Sequence, residues 1–307
     1  MDALYNKIKE KFDHKLSILE DKPEETIDST IKALWNKACG ISVSAAKAIH
    51  LPLLGLSDSQ KSLLLQLTEK RMGGIPLAHL TERQNFMGIE LLCDNRALIP
   101  RKETEILGRT VLEICQKLAK KKPIVHIMDI CCGSGNLGLA IASLHPKTII
   151  HSSDLSPEAV ELTKENISFL DLDKRVYAIQ SDLFTNFESE EYWGKIDLIV
   201  CNPPYISSTK VSKMNSEIAA NEPLMAFDGG MIGLKIIQKI IQESPKFLSE
   251  SGWLIFEVGL GQGPFVIQIC QKSEAYKFIT SATDKSGNIR VIALCRKNEI
   301  NESNTNV

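Results

Sequence analysis

Five short apolar runs, separated mostly by helix-like stretches, constrain this chain more than any other feature. They read IVHIMDI, TIIHSSD, VYAIQSD, IDLIVCN and GWLIFEVG, beginning at Ile124, Thr148, Val176, Ile196 and Gly252. Between them, stretches such as SPEAVELTKENISFL from Ser156 space their apolar residues for a helix. Strands that alternate with helices join through right-handed crossovers and build a mainly parallel, doubly wound sheet. A final pair, KFITSATDK and NIRVIALCR, reads as an antiparallel hairpin at the sheet edge. Ligands of such sheets bind beyond the carboxyl ends of the strands. The residues that close each run are therefore the ones to inspect.

The first 80 residues have a different texture. IDSTIKALWNKA places Ile27, Ile31, Leu34 and Trp35 at helical spacing, and LSDSQKSLLLQLTEKRMGG offers Ser57 or Asp58 as a helix cap. Gly73 and Gly74 are expected to end the last helix of a small bundle. QNFMGIELLCDNRAL then carries two apolar runs around an Asp94-Asn95 turn signal, which predicts a hairpin or an irregular connector. The expected partition is a helical domain over 1–80, a hairpin linker over 81–98, an α/β domain over 99–297 and a polar, disordered tail over 298–307.

Composition narrows the class of partner. A formal net charge of −2 gives no general reason to expect nucleic acid. No run of about 18 apolar residues is present, and MDALYNKIKEKFDHK lacks the apolar core of a signal peptide. Eight cysteines occur without a CxxC pair, which fits reduced thiols rather than disulfides or a metal site. The expectation is a cytoplasmic monomer without a metal.

The first strand runs into DICCGSGNLGLAIA, where Gly133, Gly135 and Gly138 form G-x-G-x-x-G. Asp154 lies about 20 residues further on, at the end of the next strand. Glycines let the backbone turn tightly against a ligand, and a carboxylate there can accept from both ribose hydroxyls. NAD and S-adenosylmethionine both present such a ribose, so the loop leaves the cofactor open. QSDLF places Asp182 at the third strand end, where it could accept from an adenine amino group, with Leu183 beside the ring.

The fourth strand ends in Asn202-Pro203-Pro204-Tyr205. An amide nitrogen is a poor nucleophile because its lone pair is delocalised. A site that methylates one needs acceptors to grip its N–H groups and aim the lone pair. Asn202 has a side-chain oxygen, and proline presents a carbonyl with no competing N–H. The rings hold these acceptors still, which is preorganisation. Tyr205 can cover a planar amide or base.

A glycine loop followed by NPPY resembles the amino methyltransferases that use S-adenosylmethionine, and GGIPLAHLTERQNFMGIELLCDNRALIPRKETEIL is similar to the HemK/PrmC family of release factor glutamine N5-methyltransferases. NEPLMAFDGGMIGLKIIQKII, FEVGLGQG and GNIRVIALCRK resemble further segments of that family, in order. The resemblance covers about 70–297. It implies a seven-stranded Rossmann-like methyltransferase domain behind an N-terminal helical bundle. It also implies methylation of the glutamine of a release factor's GGQ motif, in support of translation termination.

Cofactor contacts would come from Asp129, Cys131, Cys132, Gly133, Ser134, Gly135, Asp154, Leu155, Asp182, Leu183 and Asn202. Asn202, Pro203, Pro204 and Tyr205 would bind the glutamine amide, with Arg101 and Glu103 shaping the pocket wall or bracing the domain junction. The chain departs from the family pattern in three places. Cys131-Cys132 replaces the usual Gly-Thr, Lys102 a proline, and Ile232 an acid.

Other readings use the same motifs. A sister enzyme methylating a ribosomal protein glutamine fits Glu257-Val258-Gly259, although GNIRV favours the release-factor branch. An adenine N6-methyltransferase would grip a flipped base with NPPY but wants a basic channel. A module that only binds the cofactor would leave the intact NPPY without a use. A dehydrogenase would need a proton donor in motif context.

Overall fold

The computed structural model describes residues 3–16, 21–207, 209, 220–230 and 233–297. The expected tail over 298–307 and the Ile232 departure lie outside the described residues. None of the described helices is long and apolar enough to cross a membrane.

The helical pattern of the first 80 residues gives α1 (Ala3–Lys15), α2 (Ile27–Ala38), the short α3 (Ala45–Ala48) and α4 (Asp58–Met72). Ser57 caps α4 in a full capping box with Gln60. Gly73 closes that helix, but a further short helix, α5 (Leu77–Thr81), follows it. Ile31, Leu34 and Trp35 are buried against Tyr5, Ile8 and Phe12, so the period seen in the sequence is the packed face.

A hairpin forms from β1 (Arg83–Phe86) and β2 (Ile89–Leu92), but its turn is not at Asp94-Asn95. Met87 and Gly88 turn the chain with φ of 52° and 86°, the left-handed pair of a tight type I′ hairpin. Asn85 assists by accepting from the Gly88 amide. Asp94 instead accepts from the backbone amide and the guanidinium of Arg96. The turn signal was real, but it shaped a loop after the hairpin.

The seven-stranded sheet comprises β3 (Val125–Ile130), β4 (Thr148–Asp154), β5 (Val176–Gln180), β6 (Ile196–Cys201), β7 (Leu248–Glu257), β8 (Tyr276–Thr283) and β9 (Ile289–Arg296). Its order is β5-β4-β3-β6-β7-β9-β8, and only β9 runs against its neighbours. The expected hairpin therefore has one strand at the edge, β8, and one inserted beside β7. The helices α6 (Glu105–Leu118), α7 (Asn136–Leu144) and α8 (Pro157–Phe169) pack one face, where Val111, Ile141 and Ile167 meet Ile127 and Val200. Two helices, α9 (Lys235–Glu243) and α10 (Gly263–Gln271), pack the other, where Ile237, Ile240 and Val266 meet Ile199 and Phe256.

The chain winds outward from β3 to β5, then returns to place β6 on the other side of β3. That reversal is the switch point at which open sheets bind ligands. Ile130 pairs with Cys201 at the last rung. The glycine loop and Asn202 therefore leave the sheet side by side.

Candidate functional site

The loop after β3 turns through three left-handed residues, Cys131, Gly133 and Gly135, with φ of 59°, 56° and 80°. A Cβ added to Gly133 would project into open space. Gly138 serves packing instead, because a Cβ there would stand 2.9 Å from the Asp129 carboxylate. Cys131 holds a conformation that costs a side-chain-bearing residue about 1–2 kcal/mol. Its thiol lies against that of Cys201. All eight cysteines are free thiols.

The loop is fastened from the neighbouring elements. Cys132 N donates to Ser153 O at 2.9 Å, Thr163 Oγ1 donates to Gly133 O at 2.8 Å, and Asn166 Nδ2 donates to Ser134 O at 3.1 Å. Asp154 accepts from the Gly133 amide with Oδ2 at 2.8 Å and from the Ser156 amide with Oδ1 at 3.0 Å. Burial raises its carboxyl, while the amides of Ser156, Gly133 and Leu155 pull it back.

Asp129 stands behind the loop. It is fully buried, and Oδ2 accepts from the Gly138 amide at 2.9 Å. Burial pushes its carboxyl up to about 7, against the opposing pull of that amide. A carboxyl raised in the folded state binds its proton more tightly there than in the unfolded chain, where the ordinary value is 3.8. The stabilisation is full below about pH 4 and is lost as pH rises to about 7. At ~1.4 kcal/mol per tenfold the effect is bounded by roughly 4 kcal/mol. Asp129→Asn, which carries no titrating proton, is expected to flatten the fall in stability between pH 5 and 7.5. Urea denaturation of the ligand-free protein at the two pH values measures it; an unchanged pH dependence would exclude the assignment.

Beyond the strand ends lies a cavity of about 430 Å³. Cys131, Cys132, Gly133, Asp154, Leu155, Asp182, Leu183, Asn202, Pro204 and Arg101 line it. Asp129, Ser134, Gly135, Pro203, Tyr205 and Glu103 are not among the lining residues. Leu155 is exposed toward the cavity mouth, whereas Leu183 is buried with a φ of 49°. Asp182 is exposed, 3.4 Å from the Lys239 ammonium. A pair so solvated contributes little stability and leaves the carboxylate free to accept elsewhere.

Asn202 is half-buried, and its Nδ2 donates to Thr104 Oγ1 at 3.2 Å. That bond leaves Oδ1 as the acceptor the amide can offer to a ligand. Tyr205 turns its hydroxyl away from solvent to donate to Glu257 Oε1 at 2.9 Å. Burial and the Glu257 carboxylate hold that phenol well above its ordinary value. The motif's backbone is held as firmly. Gln262 Nε2 donates to Tyr205 O at 2.9 Å, and a parallel bridge joins Ile206 to Asp228. Gly229 passes so close that a Cβ there would lie 2.6 Å from Pro204 O.

Arg101 and Glu103 do not pair with each other. Arg101 donates to Glu222 at 2.5 Å and lies 3.4 Å from Asp21, while Glu103 lies 3.0 Å from Arg290. Lys102 pairs with Glu105 at 2.7 Å.

Residues 111–222 match the family described as Methyltransferase small domain. The chain is 34% identical over 237 residues to a release factor glutamine methyltransferase of Clostridium botulinum, covering 77% of this chain and 81% of that one. It is 34% identical over 239 residues to the protein of the same name from Thermodesulfovibrio yellowstonii, covering 78% and 83%. This chain belongs to the release factor glutamine methyltransferase family.

As a member of that family it is an enzyme, a methyltransferase, and solved structures agree on the fold. The human methyltransferase 10 domain containing protein superposes with a TM-score of 0.50 over 67% of this chain and 88% of its own, at 18% identity. The hMettl16 catalytic domain in complex with MAT2A 3'UTR hairpin 6 gives 0.50 over 80% and 85%, at 14% identity. Identities this low carry the architecture alone.

Within this methyltransferase, several residues that fix the site bear no motif of their own. Thr104, Glu222, Gly229, Glu257, Gln262 and Arg290 all touch the NPPY loop or the cavity wall directly or through one partner. Their signal in the sequence was the run of family-like segments NEP, DGG, FEVGLGQG and GNIRV. Those segments are far apart in the chain, and only the sheet order shows that they converge.

Proposed function

We propose that this methyltransferase transfers a methyl group from S-adenosylmethionine to the side-chain N5 of the glutamine in the GGQ motif of peptide chain release factors, in support of translation termination. The observation that carries this reading is the orientation of Asn202. Its Nδ2 is occupied by Thr104, its Oδ1 is left to accept, and it stands one rung from the glycine loop. A substrate that suits it must donate N–H, as a primary carboxamide does.

The cavity fits the cofactor on its own chemistry. Its volume of about 430 Å³ lies within the range of small-molecule sites. Asp154 offers a carboxylate for ribose hydroxyls, Cys131–Gly133 a curled backbone for the methionine part, and Asp182 with Leu155 and Leu183 an acceptor and apolar walls for adenine. When bound, S-adenosylmethionine supplies an electrophilic sulfonium methyl group.

The chain's own residues do the rest. Asn202 Oδ1 and the Pro203 carbonyl accept the two amide N–H groups, which holds the amide plane and aims its nitrogen. The proline rings fix both acceptors before the substrate arrives, so little reorganisation is needed at the moment of transfer. Tyr205, with its hydroxyl committed to Glu257, offers its ring as a wall that excludes water. The released proton goes to solvent. The helical region over 1–80 recognises the protein substrate, and 99–297 carries the chemistry, with 81–98 between them.

The test is label transfer. Labelled S-adenosylmethionine is incubated with the enzyme and, in separate arms, a release factor, a ribosomal protein and DNA. Label is expected on the release factor and is expected to vanish when GGQ is changed to GGA. Label on DNA or on the ribosomal protein instead would overturn the proposal.

A further inference from the structure

We propose that residues 221–229 form a strap through which the helical region positions the amide clamp, with Asn221 as a positioning residue for methyl transfer; this rests on the reading of residues 202–205 as that clamp. The strap is anchored at its start to the helical region. Asn221 Nδ2 donates to Gly74 O, between α4 and α5, at 3.2 Å. Glu222 beside it is buried and accepts from the Arg101 guanidinium at 2.5 Å and from the Ile99 amide at 2.9 Å. Arg101 in turn lies 3.4 Å from Asp21, which precedes α2. Gln84 of β1 ties the same junction, donating to Glu24 Oε1 at 3.1 Å and to Pro100 O at 3.3 Å.

The far end of the strap is fixed to the clamp. The Ile206 amide donates to Phe227 O at 2.9 Å, and the Gly229 amide donates to Ile206 O at 2.8 Å. Gly229 has no left-handed φ, so its missing side chain serves close approach to Pro204 O. A shift of Gly229 therefore meets the clamp backbone directly.

Between these ends the chain has little freedom to absorb a displacement. Pro223 fixes its own φ, here −63°, and a single 3₁₀ turn, Leu224–Ala226, follows it. The Ala226 and Phe227 amides close that turn on Pro223 O and Leu224 O at 3.0 and 3.1 Å, and Phe227 is buried. Pro223, Met225 and Ala226 also line the cavity. The wall of the site is thus held from the helical region at one end and holds the clamp at the other. The acceptors of the clamp act by their placement, and a misplacement near 1 Å can cost about 100-fold in rate.

Asn221→Asp keeps the shape of the side chain and turns the donor into an acceptor that repels Gly74 O. With a release factor and labelled S-adenosylmethionine, kcat is expected to fall about 10–100-fold, with KM for the release factor within about threefold. Hydrogen exchange should quicken about tenfold at the Ile206 and Gly229 amides and stay unchanged along β6. Gly229→Ala disturbs the other end and should lower kcat alike. Because both act through one strap, the double variant should lose no more than about threefold beyond Gly229→Ala. Wild-type kcat in Asn221→Asp, a raised KM at unchanged kcat, exchange that quickens along β6 as well, or losses that multiply in the double variant would each overturn the strap. Should Gly229→Ala fail to fold, the kinetics and exchange of Asn221→Asp decide alone. Asn202→Ala separates the two readings. If it is inactive while Asn221→Asp is normal, only the strap fails; if it is fully active, the clamp itself fails.

Discussion

Replacing Asn202 by alanine is expected to lower kcat for methyl transfer by about 10²–10³-fold, the loss typical of removing one preorganised polar group from a reaction centre. The side chain holds one of the two acceptors that orient the substrate nitrogen in the proposed clamp. The fold should survive. Tyr205 retains both its hydroxyl bond to Glu257 and its backbone bond from Gln262. Cofactor affinity should fall far less than kcat, because Asp154 and the Cys131–Gly133 backbone, which carry most of the expected cofactor contacts, are untouched. Initial rates at saturating cofactor, with calorimetric binding of S-adenosylmethionine in parallel, separate these effects. Activity within threefold of the wild type would remove Asn202 from the chemistry.

The sheet was legible because each strand carries its own signal. IDLIVC is buried along its whole length and reads as a strand without reference to the rest of the molecule. That the sheet is mainly parallel follows from the helices that separate its strands, while their order is set by the tertiary structure. The antiparallel pair was legible as a pair but not in its placement. Which strand lies beside β7 depends on packing against α6 and α10, which no local pattern encodes. The hairpin turn lies away from the Asp94-Asn95 signal for a different reason. Met87 in a left-handed conformation has no propensity to announce it, and Asp94-Asn95 is the stronger turn signal by composition.

The site divides in the same way. Asn202, Asp154 and the glycine loop were visible because each ends a strand, and the ends of parallel strands are brought together by the fold itself. Asp129 and Ser134 belong to the same stretch but face away from the cavity, since alternation along β3 and the turn of the loop point them into the protein. Arg101 and Glu103 stand two residues apart in the chain, at a spacing that suggests a shared role. Each instead finds a partner more than a hundred residues away, Glu222 and Arg290. Such long-range buried pairs are set by tertiary geometry, and spacing in the chain gives no access to them.

The Arg101–Glu222 pair carries the second large expectation, on stability. Both side chains are buried, at 7% and 0% exposure, and Glu222 Oε2 also accepts from the Ile99 amide at 2.9 Å. Removing one partner strands the other charge in a medium that solvates it poorly, at a cost of about 3–5 kcal/mol. Glu222→Ala should therefore lower the unfolding free energy from urea titration by that amount, with cavity-wall disorder following because Arg101 lines the cavity. The double variant Arg101→Met, Glu222→Met removes both charges together. It should be more stable than Glu222→Ala, since Asp21, 30% exposed, can be hydrated once its partner is gone. It should still fall short of the wild type by about 1–3 kcal/mol, because the Ile99 amide has lost its acceptor. A single variant as stable as the wild type would show that the pair is solvated enough to be dispensable. A double variant no better than Glu222→Ala would show that the lost amide bond, not the stranded charge, dominates the cost.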